Sequence, residues 1–189
     1  MQGFHLFLSL MCYTAVTIAS NTLTDWDFNM KRFEYNTSNP EIADFHLRIV
    51  RTKSNEYAFN GSFILGVDID DTVSVWVKLY RSETGSSQYR QTAYSIAPTT
   101  FYKFMTNIYV KMMQNDLSKC TNIPVYKKEF NAPLKKGIYY ANMCVLGNKN
   151  MPTHLQPGHY RITAELSSQV LNANLFMSGY VEIFAKAFA

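Results

Sequence analysis

From Leu23 onward the chain alternates apolar and polar residues with period two. Trp26, Phe28 and Met30 are separated by charged or polar residues; Phe45, Leu47 and Ile49 alternate with His46 and Arg48; Val73, Val75, Val77 and Leu79 alternate with Ser74, Trp76, Lys78 and Tyr80. Each pattern predicts a half-buried strand. Asn60-Gly61 lies between Tyr57-Ala58-Phe59 and the alternating Phe63, Leu65, Val67 and Ile69, which predicts a two-residue hairpin. The Ser- and Gly-rich stretch Ser82 to Ser87 predicts the next turn. Three further alternations follow: Ile138, Tyr140, Asn142, Cys144; then Tyr160, Ile162, Ala164, Leu166; then Leu175, Met177, Gly179, Val181, Ile183, Ala185. Gly147 to Pro157 reads as a polar loop between two of them. The whole predicts an all-β fold: an immunoglobulin-like two-sheet β-sandwich of about eight or nine strands.

One segment breaks the alternation. After Pro98 the apolar positions are Phe101, Tyr102, Phe104, Met105, Ile108, Tyr109, Met112 and Met113, the spacing of an amphipathic helix over Thr99 to Gln114. Thr99 or Thr100 can cap it, and Asn115-Asp116 lies at its end. A single helix in an all-β chain must lie over a sheet or close an opening between two sheets. Core packing accounts for most of its side chains, while Met105, Met112 and Met113 offer the adaptable apolar surface that a variable ligand needs. The candidate cavity residues on it are Phe101, Phe104, Met105, Ile108 and Met112.

Phe4 to Ile18 contains no Asp, Glu, Lys or Arg, and at its end Thr17-Ile18-Ala19 fits the small-x-small cleavage rule, so residues 1–20 read as a secretory signal peptide. Residues 21–189 then form one domain, with no linker or repeat. Cleavage removes Cys12 and leaves Cys120 and Cys144, an even count that in an exported chain implies a disulfide. The competing metal reading lacks ligand spacing. Export also gives meaning to two glycosylation sequons, at Asn36 and Asn60, of which the second would stand at the hairpin tip.

Composition narrows the function classes. The chain is 47% hydrophobic and 17% charged, which excludes a disordered or coiled-coil protein. Past the leader no apolar run reaches the length of a membrane span, so no stable membrane insertion is expected. The net charge of +4 is too small to argue for nucleic acid. Lys127-Lys128 and Lys135-Lys136 read as solvated loop lysines, with an anionic surface as the alternative. His46, His154 and His159 have no metal spacing, and Asp68, Asp70 and Asp71 lack the glycine and closing glutamate of a calcium loop. No nucleophile elbow or phosphate-cradling loop is present. The expectation is a protein that is not an enzyme, with no metal and no cofactor.

Pro133-Leu134-Lys135-Lys136-Gly137-Ile138-Tyr139, followed by Pro152-Thr153-His154-Leu155-Gln156-Pro157-Gly158-His159-Tyr160-Arg161-Ile162, resembles the C-terminal half of the ganglioside GM2 activator. Together with Cys120, Cys144, Asp70-Asp71 before a strand and the leader, the chain resembles the insect secreted chemosensory proteins of the A and B families, which are similar to that activator and to MD-2-related lipid-recognition proteins. The resemblance implies a β-cup whose sheets splay around a lipid, and a secreted carrier of a hydrophobic small molecule, lipid or pheromone that acts with a sensory receptor. The alternatives are an activator that presents a membrane lipid to an enzyme, and an extracellular protein without ligand. One departure stands out: the activator carries several disulfides and this mature chain can form one.

Overall fold

The computed structural model describes residues 24–86, 88–148 and 151–186. The signal peptide read from residues 1–20 lies outside the described residues. Eight strands form two antiparallel sheets: β1 (Trp26–Thr37), β2 (Ala43–Arg51), β3 (Tyr57–Leu65), β4 (Ser74–Ser82), β5 (Arg90–Thr100), β6 (Gly137–Cys144), β7 (Gly158–Ser168) and β8 (Ala173–Ala185). One sheet runs β1-β8-β7-β4-β5 and the other β2-β3-β6. The architecture is a two-sheet β-sandwich, as the alternation predicts, and among the described residues one helix lies between β5 and β6.

The core has two parts, each a separate cluster of buried side chains. At one end Trp26, Met30, Tyr160, Val181 and Ile183 are buried together, with Phe28, Phe59 and Leu79 against them. There the Trp26 indole donates to the Pro152 carbonyl at 2.8 Å, which ties the loop before β7 over that end. At the other end the inner face of the smaller sheet is a ladder of rings. Register sets Phe45 opposite Phe63 and Phe63 opposite Tyr139, and the rings stack at 5.4 and 5.0 Å. Aromatic cross-strand pairs of this kind contribute roughly 0.2–1 kcal/mol each.

The disulfide joins Cys120 to Cys144, with Cα atoms 5.4 Å apart. It pins the segment after the helix to the end of β6. No helix among the described residues is long and apolar enough to cross a membrane.

Three expectations are corrected. Asn60-Gly61 is not a hairpin turn: β3 runs through it from Tyr57 to Leu65, with Arg48 opposite Asn60 and Leu47 opposite Gly61 on β2. A hairpin would require the flanking segments to pair with each other, whereas both pair with β2. Gly61 serves instead at a register shift between β3 and β6, with φ +136°, where a Cβ would overlap the His46 carbonyl oxygen. Asn60 therefore sits in mid-sheet and not at a tip. Its Oδ1 accepts from the Met143 amide at 3.2 Å.

The phase of β6 is the second correction. Ile138 and Tyr140 point outward, Ile138 being 65% exposed, while Tyr139 and Ala141 are buried. Both faces of this strand are apolar, so alternation alone does not choose between them. The stack on Phe63 and a 2.6 Å hydrogen bond from the Tyr139 hydroxyl to the Lys135 carbonyl hold Tyr139 inward. Third, β5 was not foreseen, and Val67 and Ile69 fall beyond β3, where Ile69 instead makes a two-bond bridge with Leu134 at 2.8 Å each way.

Candidate functional site

The helix that spans the open end of the sandwich begins as an α-helical turn at Phe101–Phe104, winds as π-helix over Met105–Met113, and closes as α-helix at Gln114–Leu117. Thr100 caps it, its hydroxyl accepting from the Lys103 amide at 3.4 Å. The Tyr102 amide donates to Asp71 Oδ1 at 2.9 Å, and the Phe101 amide to the Val73 carbonyl at 2.8 Å. The acidic run thus anchors the start of the helix. Asp70 caps Thr72 in the same turn, and those hydrogen bonds hold its carboxyl below the usual carboxylate range.

The winding follows from the residue pattern. Phe101, Met105 and Tyr109 are buried, and Lys103, Asn107, Lys111, Asn115 and Lys119 are exposed, both rows repeating every four residues. An α-helix turns about 100° per residue, so a four-residue repeat drifts by roughly 40° at each step. The wider i→i+5 turn advances less per residue and offsets the drift of the flanking α turns, which keeps both rows aligned. π-helix is rare and is frequently found at functional sites.

The segment after the helix clasps it. Gln114 exchanges two hydrogen bonds with the Tyr126 backbone, at 2.9 and 2.8 Å, and the Phe130 amide donates to Thr106 Oγ1 at 3.1 Å. Phe130 is fully buried and meets the Phe101 and Tyr126 rings edge-on at 5.6 and 5.2 Å.

Beneath the helix lies a cavity of about 240 Å³ with an almost wholly apolar lining. Phe101, Phe104, Met105 and Tyr109 form its roof; Ala43, Phe45, Phe63 and Leu65 its floor on the smaller sheet; Val75, Ala164, Leu166, Leu175 and Met177 its wall on the larger. Ile69, Val73, Ile123 and Leu134 close the side nearest the clasp. Thr37, Ile42, Leu171 and Asn174, none of them fully buried, line it where the end of β1 meets the β7–β8 turn. Val170, in that turn, is 75% exposed.

Of the five helix residues singled out from the sequence, Phe101, Phe104 and Met105 line the cavity. Ile108 and Met112 are half-buried and are not among its lining residues. An apolar face drawn at 3.6 residues per turn includes 108 and 112, whereas the wider winding brings Tyr109 into the roof in their place. Tyr109 is 5% exposed, and its hydroxyl is buried with no hydrogen-bond partner among the described residues. Burial, and then the nearby Tyr126, push its pKa up to about 12. Sequence reasoning places Tyr109 on the apolar face of the helix but not at the cavity; the four-residue repeat of Phe101, Met105 and Tyr109 was the signal that it lines the roof.

Of the remaining candidates, Asn36 is exposed on β1 and Asn60 half-buried on β3. No group of three or more potential metal ligands occurs among the described residues. No curated protein matches the chain. Residues 75–162, from β4 through the helix, the clasp and the disulfide into β7, match the model of a family described as a protein of unknown function, DUF1091.

Proposed function

We propose that the protein is a secreted, non-enzymatic carrier that holds a hydrophobic small molecule or lipid in the cavity beneath the helix. The observation that carries this reading is the cavity itself: an apolar space of about 240 Å³ between the helix and the two sheets. An apolar cavity of about 150 Å³ admits benzene, so by proportion this one admits roughly ten carbons. Burying about ten methylenes contributes about 8 kcal/mol before ordering costs, enough for weak to micromolar retention. The leader and the Cys120–Cys144 bridge support export. The resemblance to insect secreted chemosensory proteins supports placing the carriage in pheromone perception, with a sensory receptor as the recipient.

A second reading, extraction of a membrane lipid for presentation to an enzyme, is favoured by the exposed Val170 in the β7–β8 turn, next to the cavity-lining Leu171. Partition to neutral vesicles that is lost in Val170→Asp selects the second reading over the first.

The test of the cavity is titration with an apolar naphthylamine fluorophore, with lipid mass spectrometry of the secreted protein alongside. Ala164→Leu fills the wall of the cavity without adding charge and is expected to weaken binding by roughly tenfold or more. Lys103→Ala, on the exposed row, leaves it unchanged. A folded Ala164→Leu protein that binds as the wild type does removes the cavity as the site.

A further inference from the structure

The outer face of the five-stranded sheet carries a row of side chains that the cavity does not use. Register sets Arg32 on β1 opposite Tyr180 on β8, Tyr180 opposite Arg161 on β7, and Arg161 opposite Tyr80 on β4. Cations and rings therefore alternate across four adjacent strands, at the spacing where cross-strand side chains touch. The Arg32 guanidinium lies 4.2 Å from the centre of the Tyr180 ring. That of Arg161 lies 4.7 Å from Tyr80 and 5.2 Å from Tyr89. Tyr89, from the segment before β5, meets Tyr180 edge-on at 6.3 Å. Over this row opens a concavity of about 600 Å³, with Lys31, His159, Gly85 and Ser86 on its walls.

Charge accounting singles out one residue. Lys31 is paired with Glu182 at 2.7 Å, Arg32 with Glu34 at 3.3 Å, and Arg81 at the margin with Glu83 at 3.5 Å. The Arg161 side chain makes no ion pair and no hydrogen bond to any described residue, and its Nε is buried without a partner. Stacking against tyrosine faces strips water from a guanidinium and compensates it only in part. The planar edge of the group keeps its fork of N–H donors, which fits two oxygens of one acid group. A desolvated, ring-flanked guanidinium with an unengaged edge, walled by Lys31 and Arg32, is what an oxyanion receptor requires.

We propose that this concavity is a second binding site, for an oxyanion (phosphate, sulfate or carboxylate) gripped by the edge of Arg161. It lies on the opposite face of the sheet from the cavity and does not depend on the carrier reading. Such an anion reaches the site either free in solution or as the headgroup of an anionic lipid.

The test follows the Arg161 Nε–Hε and Tyr89 resonances by NMR during titration with inorganic phosphate, with chloride holding ionic strength constant. In parallel, flotation compares phosphatidylcholine vesicles with vesicles that also contain phosphatidylserine. The wild type is expected to shift saturably with phosphate. Arg161→Gln should weaken binding by roughly tenfold or more, and Arg161→Lys, which keeps the charge but loses the fork, by several-fold. Lys127→Ala is expected to change nothing. Retention on anionic but not neutral vesicles, lost in Arg161→Gln, assigns the headgroup; saturation by phosphate without vesicle retention assigns the free anion. Thermal unfolding checks that each variant is folded, and Arg161→Lys carries the test if Arg161→Gln is not. The proposal is overturned if phosphate produces no saturable shift at Arg161, or if a folded Arg161 variant binds as the wild type does.

Discussion

Replacing Tyr109 by Phe removes a single oxygen atom from the roof of the cavity, and the sign of its effect tests how that roof is built. The side chain is 5% exposed and its hydroxyl has no hydrogen-bond partner among the described residues. A buried hydroxyl left unpaired costs about 1–3 kcal/mol of desolvation. Phe keeps the ring in place, so the substitution is expected to stabilise the empty protein by about 1 kcal/mol, or roughly 2–4 °C in Tm for a domain of this size. A second, independent signature lies at alkaline pH. The Tyr109 pKa is pushed up to about 12 in the folded protein, against about 10 in an unfolded chain. The folded state therefore holds this proton more tightly: its contribution to stability is fully present below about pH 10 and is lost as pH rises toward 12. At about 1.4 kcal/mol per unit, that loss is at most about 2–3 kcal/mol in the wild type, and Phe removes it. Tyr126, Tyr139 and Tyr160 are also shifted upward by burial and keep part of the alkaline dependence in both proteins. Urea unfolding at pH 8 and pH 11, read by circular dichroism, measures both effects. A Tyr109→Phe protein that loses more than about 1 kcal/mol at pH 8, with the wild-type alkaline dependence intact, would mean that the hydroxyl is satisfied and the reasoning wrong.

Gly61→Ala is expected to cost about 3 kcal/mol or more, because φ is +136° and the new Cβ meets the His46 carbonyl in a strand paired on both sides; the urea midpoint measures it. In protein secreted from glycosylating cells, Asn36→Gln is expected to abolish the gel-mobility shift produced by glycan and Asn60→Gln to leave it, since Asn36 is exposed on the outer sheet face whereas Asn60 Oδ1 holds the Met143 amide.

Most of the sandwich was legible because one face of each strand meets the core and the other meets water, which writes period two into the sequence. The exceptions each have a physical cause. β5 (Arg90–Thr100) is an edge strand with half its surface open, so it needs no regular apolar row, and Pro98 is tolerated there. β6 is apolar on both faces, which hides its phase. At Asn60-Gly61 a turn-forming dipeptide is overruled by two neighbouring strands, because the glycine is needed for close approach rather than for reversal. The helix was legible as an apolar face, but its winding was not, and the difference exchanges Ile108 and Met112 for Tyr109 at the cavity. The row of Arg32, Tyr80, Arg161 and Tyr180 could not be read at all, since it exists only through the pairing of strands far apart along the chain.

The division of the core into a packed end and a hollow end has a consequence for how such a chain can change over generations. Around Trp26, Tyr160, Val181 and Ile183, side chains interlock, and a change of one methylene is felt by every neighbour. Around Phe104, Met105, Ala164 and Met177 there is spare volume, so residues there can grow or shrink and the difference is taken up by the space itself. Under the carrier reading, selection on the contents of the hollow end is thereby separated from selection on folding. On that reading, copies of such a gene can diverge in what they hold while the opposite end of the sandwich, under a different constraint, keeps the same shape.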